Sequence, residues 1–185
     1  MVTVTYVGSD NPATDGDSAA PGSSYQEPVV AIELHTMADA IAIPTIRTVA
    51  ADLAARADFD LDSIDDLRMA VDDVCAMLVQ AAAEGGALVC RFTVLTDRIE
   101  VVAEVDADHL VDPLPTGSFD RRVLESLVDE VSGLFLPGVL HPEVSNSDGS
   151  KADQSHAYDL SSLGRIRRGR VRITLIKGTL IAPPP

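Results

Sequence analysis

Apolar residues recur at helical spacing most clearly between Leu61 and Ala83. There Ile64, Leu67, Val71, Val74 and Leu78 set one stripe along more than three turns. Such a stripe has to be covered, and a sheet is the expected cover. Asp62 stands before the stripe with Asp65 three positions on, an acidic variant of the capping box, and carboxylates suit the positive end of the helix dipole. Glu84-Gly85-Gly86 supplies the stop. Asp72 and Asp73 sit mid-helix, where Asp has poor propensity, so a carboxylate pair beside a core-facing stripe calls for a reason.

The flanking pattern supplies the other elements. Residues 29–34, rich in Val, Ile and Leu, read as a strand. A helical region over 37–57 follows, with Pro44 suited to the first helical position and Ile46, Val49, Ala50, Leu53 and Ala54 on its apolar face. Arg47, Asp52 and Arg56 fall off that face. Ala87 to Leu95 and Arg98 to Val105, joined through Thr96-Asp97, form a hairpin. Its second strand sets Ile99, Val101, Ala103 and Val105 against Glu100 and Glu104, the alternation of a half-solvated antiparallel sheet. A third helix begins near Ser118, with Phe119, Val123, Leu124, Leu127, Val128 and Val131 as its apolar face. Gly133 to Leu136 and Val171 to Ile176 are further strands. This order implies an α+β domain over residues 28–182, with about three helices on one face of a mixed, mostly antiparallel sheet.

Two stretches lack periodicity. Residues 1–27 combine Gly, Ser, Pro, Asn and Asp and are expected to form a flexible acidic tail, although residues 2–7 alternate like a short strand suited to a sheet edge. Residues 137–164 are expected to form a long, disordered loop insertion, and 183–185 a proline tail. Five arginines between Arg165 and Arg172 read as a charged strand entry protecting an edge, with an anion site as the alternative.

Composition narrows the function. At 185 residues with 46% apolar content, one domain with an aliphatic core is the default. A net charge of −15 disfavours a nucleic-acid partner and accommodates a basic protein surface or a divalent cation. No run approaches a membrane span and the first 46 residues hold no Lys or Arg, so no membrane association and a cytoplasmic location are expected. Cys75 and Cys90 lack metal or redox spacing and read as buried thiols.

Four segments carry a family resemblance: residues 43–75 (IPTIRTVAADLAARADFDLDSIDDLRMAVDDVC), 98–108 (RIEVVAEVDAD), 117–133 (GSFDRRVLESLVDEVSG) and 169–178 (GRVRITLIKG). In order and spacing the chain from about 29 to 177 resembles the anti-sigma factor and serine/threonine kinase family of the GHKL superfamily, in particular actinobacterial stress-sigma regulators. The resemblance implies a two-layer GHKL-type sandwich. It also implies an alternative sigma factor as partner, release by a STAS-type anti-anti-sigma factor, and a homodimer.

The family's Mg²⁺-ATP motifs match only in part. Its helical acid corresponds to Asp73, implied to be catalytic, but the metal-binding Asn four positions later is replaced by Met77, whose thioether is a poor ligand for Mg²⁺. Asp106 matches the adenine-contacting acid of the next motif, and 106–110 (DADHL) has no glycine. Gly117 and Ser118 are the remnant of the phosphate-binding glycine box. No metal ligand set is therefore expected, and ATP is implied by resemblance alone. Arg47 stands at the matching distance before Asp73 for a partner-binding residue; read from the chain alone, it is also an ordinary solvated helix position. Asp72 and Asp73 have a bland reading too, as surface carboxylates paired in part with Arg68. Three functions follow. A sigma-sequestering protein without efficient kinase activity comes first, ahead of an active kinase that phosphorylates the anti-anti-sigma factor and of a small-molecule-binding GHKL remnant.

Overall fold

Strand β4 (Arg98–Ala107) buries Ile99, Val101, Ala103, Val105 and Ala107 and leaves the residues between them less buried. The same alternation runs through β3 (Ala87–Val94) and β6 (Gly169–Gly178), so one sheet face is covered throughout. The computed structural model describes residues 3–6, 30–138 and 169–179. With β1 (Thr3–Tyr6), β2 (Val30–Met37) and β5 (Glu130–Pro137), these strands make a six-stranded sheet of order β1-β2-β3-β4-β6-β5. Every pairing is antiparallel. Apart from Thr3–Tyr6 and the strand end at 137–138, the expected tail, loop insertion and proline tail lie outside the described residues.

Helices α1 (Ile43–Arg56), α2 (Leu61–Ala81) and α3 (Phe119–Leu127) pack on the covered face, as the resemblance implied. Leu67, Val71, Val74 and Leu78 of the central stripe are at most 1% exposed and meet Leu34, Leu88, Phe92, Ile173 and Leu175 of the sheet in one core. Cys75 of α2 and Cys90 of β3 lie in this core with their sulfurs 3.9 Å apart. Their mutual contact, then burial, pushes the Cys75 thiol up.

Several boundaries differ from the sequence reading, each for a local reason. Asp60, not Asp62, caps α2: its Oδ1 accepts from the Ser63 amide at 2.9 Å and its Oδ2 from the Ser63 hydroxyl at 2.8 Å. Asp58, at φ 57, makes the left-handed turn that sets this up. Helix α2 ends at Ala81, before the glycines, because the Ala83 amide leaves the helix to donate to the Asp106 carbonyl at 2.7 Å; Gly85, at φ 70, then turns the chain toward β3. Helix α3 stops at Leu127, so Val131 belongs to β5 and Phe119, at 74% exposure, does not pack inward. Lys177 accounts for that stop, donating to the Leu127 carbonyl at 2.8 Å and to Asp66 of α2 at 3.0 Å. Strand β6 lies inside the sheet, not at an edge; Arg170 and Arg172 project from its open face and pair with Glu104, and Arg170 also with Asp106.

Candidate functional site

Helix α2 presents its two mid-helix carboxylates to different neighbours, because successive residues are about 100° apart around a helix. Asp72 turns toward α1. There it accepts a 3.0 Å bond from Arg47 Nη1, with the two side chains 38% and 41% exposed. The expected Arg68–Asp72 pair is absent: Arg68 bonds Asp65 one turn back, also at 3.0 Å. Arg47, Asp65, Arg68, Met69 and Asp72 together line an open depression of about 310 Å³ between α1 and α2, and Met69 is 51% exposed there. Arg47 does leave the apolar face of α1, but it reaches α2 as well as solvent.

Asp73 turns the other way. Partial burial, then the charges of Asp72 and of Asp120 at the start of α3, hold its carboxyl above the ordinary aspartate range. One turn on, Met77 lines a second cavity of about 250 Å³ with Leu78, Ala81, Val111, Pro113, Val171 and Ile173. The polar residues around it are Gln80, His109 and Asp112, and none of its lining residues is Lys or Arg. The connection from β4 to α3 folds down beside this cavity. Leu114 is 3% exposed, its amide donates to Asp112 Oδ1 at 3.1 Å, and its carbonyl accepts from Arg121 at 3.4 Å. Glycine is required where this connection meets β5, since a Cβ on Gly133 would lie 2.9 Å from Pro113 Cγ and 3.1 Å from Leu114.

The remaining candidates are spread apart. Gly117, at φ 79, shapes the turn into α3, and Ser118 caps the helix by accepting from the Arg121 amide at 3.2 Å. Asp106 lies on the opposite face of the sheet from Met77: its neighbours Val105 and Ala107 are buried under the helices, while it is exposed and 3.3 Å from Arg170. Asp73 on α2 and Asp106 therefore lie on opposite sides of the sheet. Asp112, which lines the cavity, escaped the sequence reading; a lone acid in a loop of no periodicity gave no signal. Among the described residues no three His, Cys, Asp or Glu side chains are placed to hold a metal ion.

No protein-family model matches the chain. A Mycobacterium tuberculosis protein named anti-sigma-F factor RsbW is 35% identical over 132 residues, covering 71% of this chain and 76% of that relative. The chain belongs to the anti-sigma factor and serine kinase family of the GHKL superfamily. Proteins named serine-protein kinase RsbW from Bacillus subtilis and Bacillus licheniformis are each 28% identical, over 142 and 128 residues. Those matches cover 66% and 58% of this chain and 89% and 80% of the two relatives.

Against the Mg²⁺-ATP site that the family resemblance implies, the residues present do not fit. The metal-ligand position holds a thioether, the adenine-contacting acid points off the far side of the sheet, and the cavity beside Met77 is smaller than the roughly 300–1,000 Å³ of ordinary ligand pockets. Asp112 is the one acidic residue lining it, and Asp120 stands in the first turn of α3 beside Arg121 and Arg122.

Proposed function

We propose that this chain is an anti-sigma factor, which sequesters an alternative sigma factor and is released by a STAS-type anti-anti-sigma factor, without efficient kinase activity. The observation that carries the reading is the 35% identity, over 76% of its length, to a relative named as an anti-sigma factor. The structure supports it by difference: the helical scaffold is formed and Arg47 stands at the α1–α2 surface, while the family's metal-ligand position holds Met77 and Pro113 lines the small cavity beside it. A binding module needs only such a surface, whereas a kinase needs metal, phosphate and adenine contacts together. Arg47 is the partner-binding residue in this reading, and a cytoplasmic homodimer is its expected state. No helix among the described residues is long and apolar enough to cross a membrane.

Active phosphorylation of the anti-anti-sigma factor is the second reading. It is favoured by the relatives named as serine-protein kinases and by Asp73, a carboxylate with a raised pKa in the family's catalytic position. Asp73 would act there as the base, with Gly117, Ser118 and Asp106 the remaining nucleotide contacts. The test is a calorimetric titration with Mg²⁺-ATP run beside binding assays against purified sigma factors. Sigma binding with no micromolar nucleotide affinity supports the first reading; phosphoryl transfer to a STAS protein selects the second. Ligand-dependent stabilisation without sigma binding would select a small-molecule-binding remnant, with the cavity beside Met77 as its pocket.

A further inference from the structure

Within the α1–α2 groove, Arg47 and Arg68 each bond one carboxylate of their own chain, and exposed Met69 lines the same depression. The Arg47–Asp72 bond uses a single nitrogen of a guanidinium that can grip a carboxylate through two. Water reaches both side chains, at 41% and 38% exposure, so the pair contributes little on its own. Once covered by a docked protein, the same guanidinium bound bidentately contributes more, because the competing water is gone. Asp72 also has somewhere to go. Arg68 precedes it by four residues on the same helix, the spacing at which the two can pair, and Arg68 is held only by exposed Asp65.

We propose that Asp72 is an internal stand-in for a partner's carboxylate. Docking of an acidic segment of the sigma factor exchanges the Arg47–Asp72 pair for one between Arg47 and the partner, Asp72 passes to Arg68, and an apolar side chain of that segment settles on Met69. The inference rests on the sigma-sequestering reading and adds to it the residue that opposes binding. A pair this exposed is strong enough to keep Arg47 engaged in the free protein and weak enough to yield on contact. Both arginines of the groove are already paired, with Asp72 and Asp65, so the group that can take Arg47 by displacing its present partner is another carboxylate, next to an apolar side chain that covers Met69.

The test titrates each purified alternative sigma factor of the source organism against the full chain by calorimetry at fixed salt. Asp72→Asn is expected to bind about two- to fivefold more tightly, the range open to an exposed pair. Asp52→Asn is the control, since it removes the same charge from the exposed Asp52–Arg56 pair (2.8 Å) outside the groove, and it should leave affinity unchanged. The gain must also vanish when Arg47 is replaced, so that Arg47→Ala with Asp72→Asn binds no better than Arg47→Ala alone. Met69→Ser should weaken binding. Unchanged or weaker binding by Asp72→Asn overturns the exchange, the latter by making Asp72 a support for Arg47; an equal gain from Asp52→Asn overturns it as a general charge effect. Wild-type binding without these responses removes only this inference, whereas absence of wild-type binding to every sigma factor removes the anti-sigma reading and the inference with it.

Discussion

The two flanks of α2 differ in how their polar groups are satisfied. On the α1 side, Arg47, Asp65, Arg68 and Asp72 are half-exposed and bonded through single contacts that side-chain rotation can undo. On the α3 side, Met77, Val111 and Pro113 line a small cavity together with Gln80, His109 and Asp112, and Leu114 of the β4–α3 connection is buried. One flank carries exposed ion pairs, and the other a small cavity walled mainly by apolar groups. On the proposed reading, that difference would let a member of a kinase-containing family keep protein recognition without the nucleotide chemistry. Recognition needs one surface, and chemistry needs several contacts at once.

The comparison is broken most severely by overfilling the α3 flank. Gly133→Val puts a branched side chain where a Cβ alone already stands 2.9 Å from Pro113, and overpacking of this kind costs about 1–3 kcal/mol. Chemical denaturation should show that loss with sigma affinity retained; lost affinity in a folded variant would mean the flanks are coupled. On the exchanging flank, Arg47→Ala should weaken the sigma complex by about 2 kcal/mol, roughly thirtyfold, while changing stability by only about 0.5 kcal/mol. Calorimetry and a thermal melt separate the two effects, and equal affinity would return Arg47 to an ordinary surface position. Met77→Asn restores the family's missing ligand, yet it should cost about 1 kcal/mol of stability and leave Mg²⁺-ATP affinity weaker than micromolar, because the phosphate contacts and the space are still missing. Tight nucleotide binding by that variant would show that the connection over the cleft yields.

The smallest effect is a pH dependence. Asp73 has a folded pKa raised above the ordinary 3.8, so its protonated form is favoured in the folded state. Its stabilising contribution is complete below pH 3.8 and is lost as pH rises through the folded value. Asp73→Asn should therefore raise stability at pH 7 by about 0.5 kcal/mol at most, since solvent still reaches this side chain, and the gain should disappear toward pH 4. Melting curves at the two pH values check the sign; a variant less stable at pH 7 would mean that the charge is paired.

Regular elements were legible wherever apolar spacing was repeated. The stripe from Ile64 to Leu78 and the alternation from Ile99 to Val105 each offer several residues that agree on one period, and both elements formed where expected. End points were less legible, because a cap is a single contact. Asp60 and Asp62 are chemically equal in the sequence, and only the Ser63 amide distinguishes them. Val131 fits a helical period and a strand alike until Lys177 ends α3 four residues earlier. Strand β1 was legible as the alternation of residues 2–7, and only the sheet shows that β2 is the edge it joins. At the site, Arg47 and Asp72 were each noticed, but their pairing spans 25 positions and arises from the packing of two helices. Asp106 was assigned by motif, and strand register decided its face.

Cys75 and Cys90 turn the core into its own reporter. Both thiols are at most 1% exposed and face each other across the contact between α2 and β3, the helix that carries both flanks and the sheet that supports it. A thiol reagent in solution can reach them only when that contact parts, and the raised pKa of Cys75 keeps the reactive thiolate scarce until then. The alkylation rate of the unmodified chain therefore measures how often helix and sheet separate. A docked partner that clamps α2 would slow that clock without touching either sulfur.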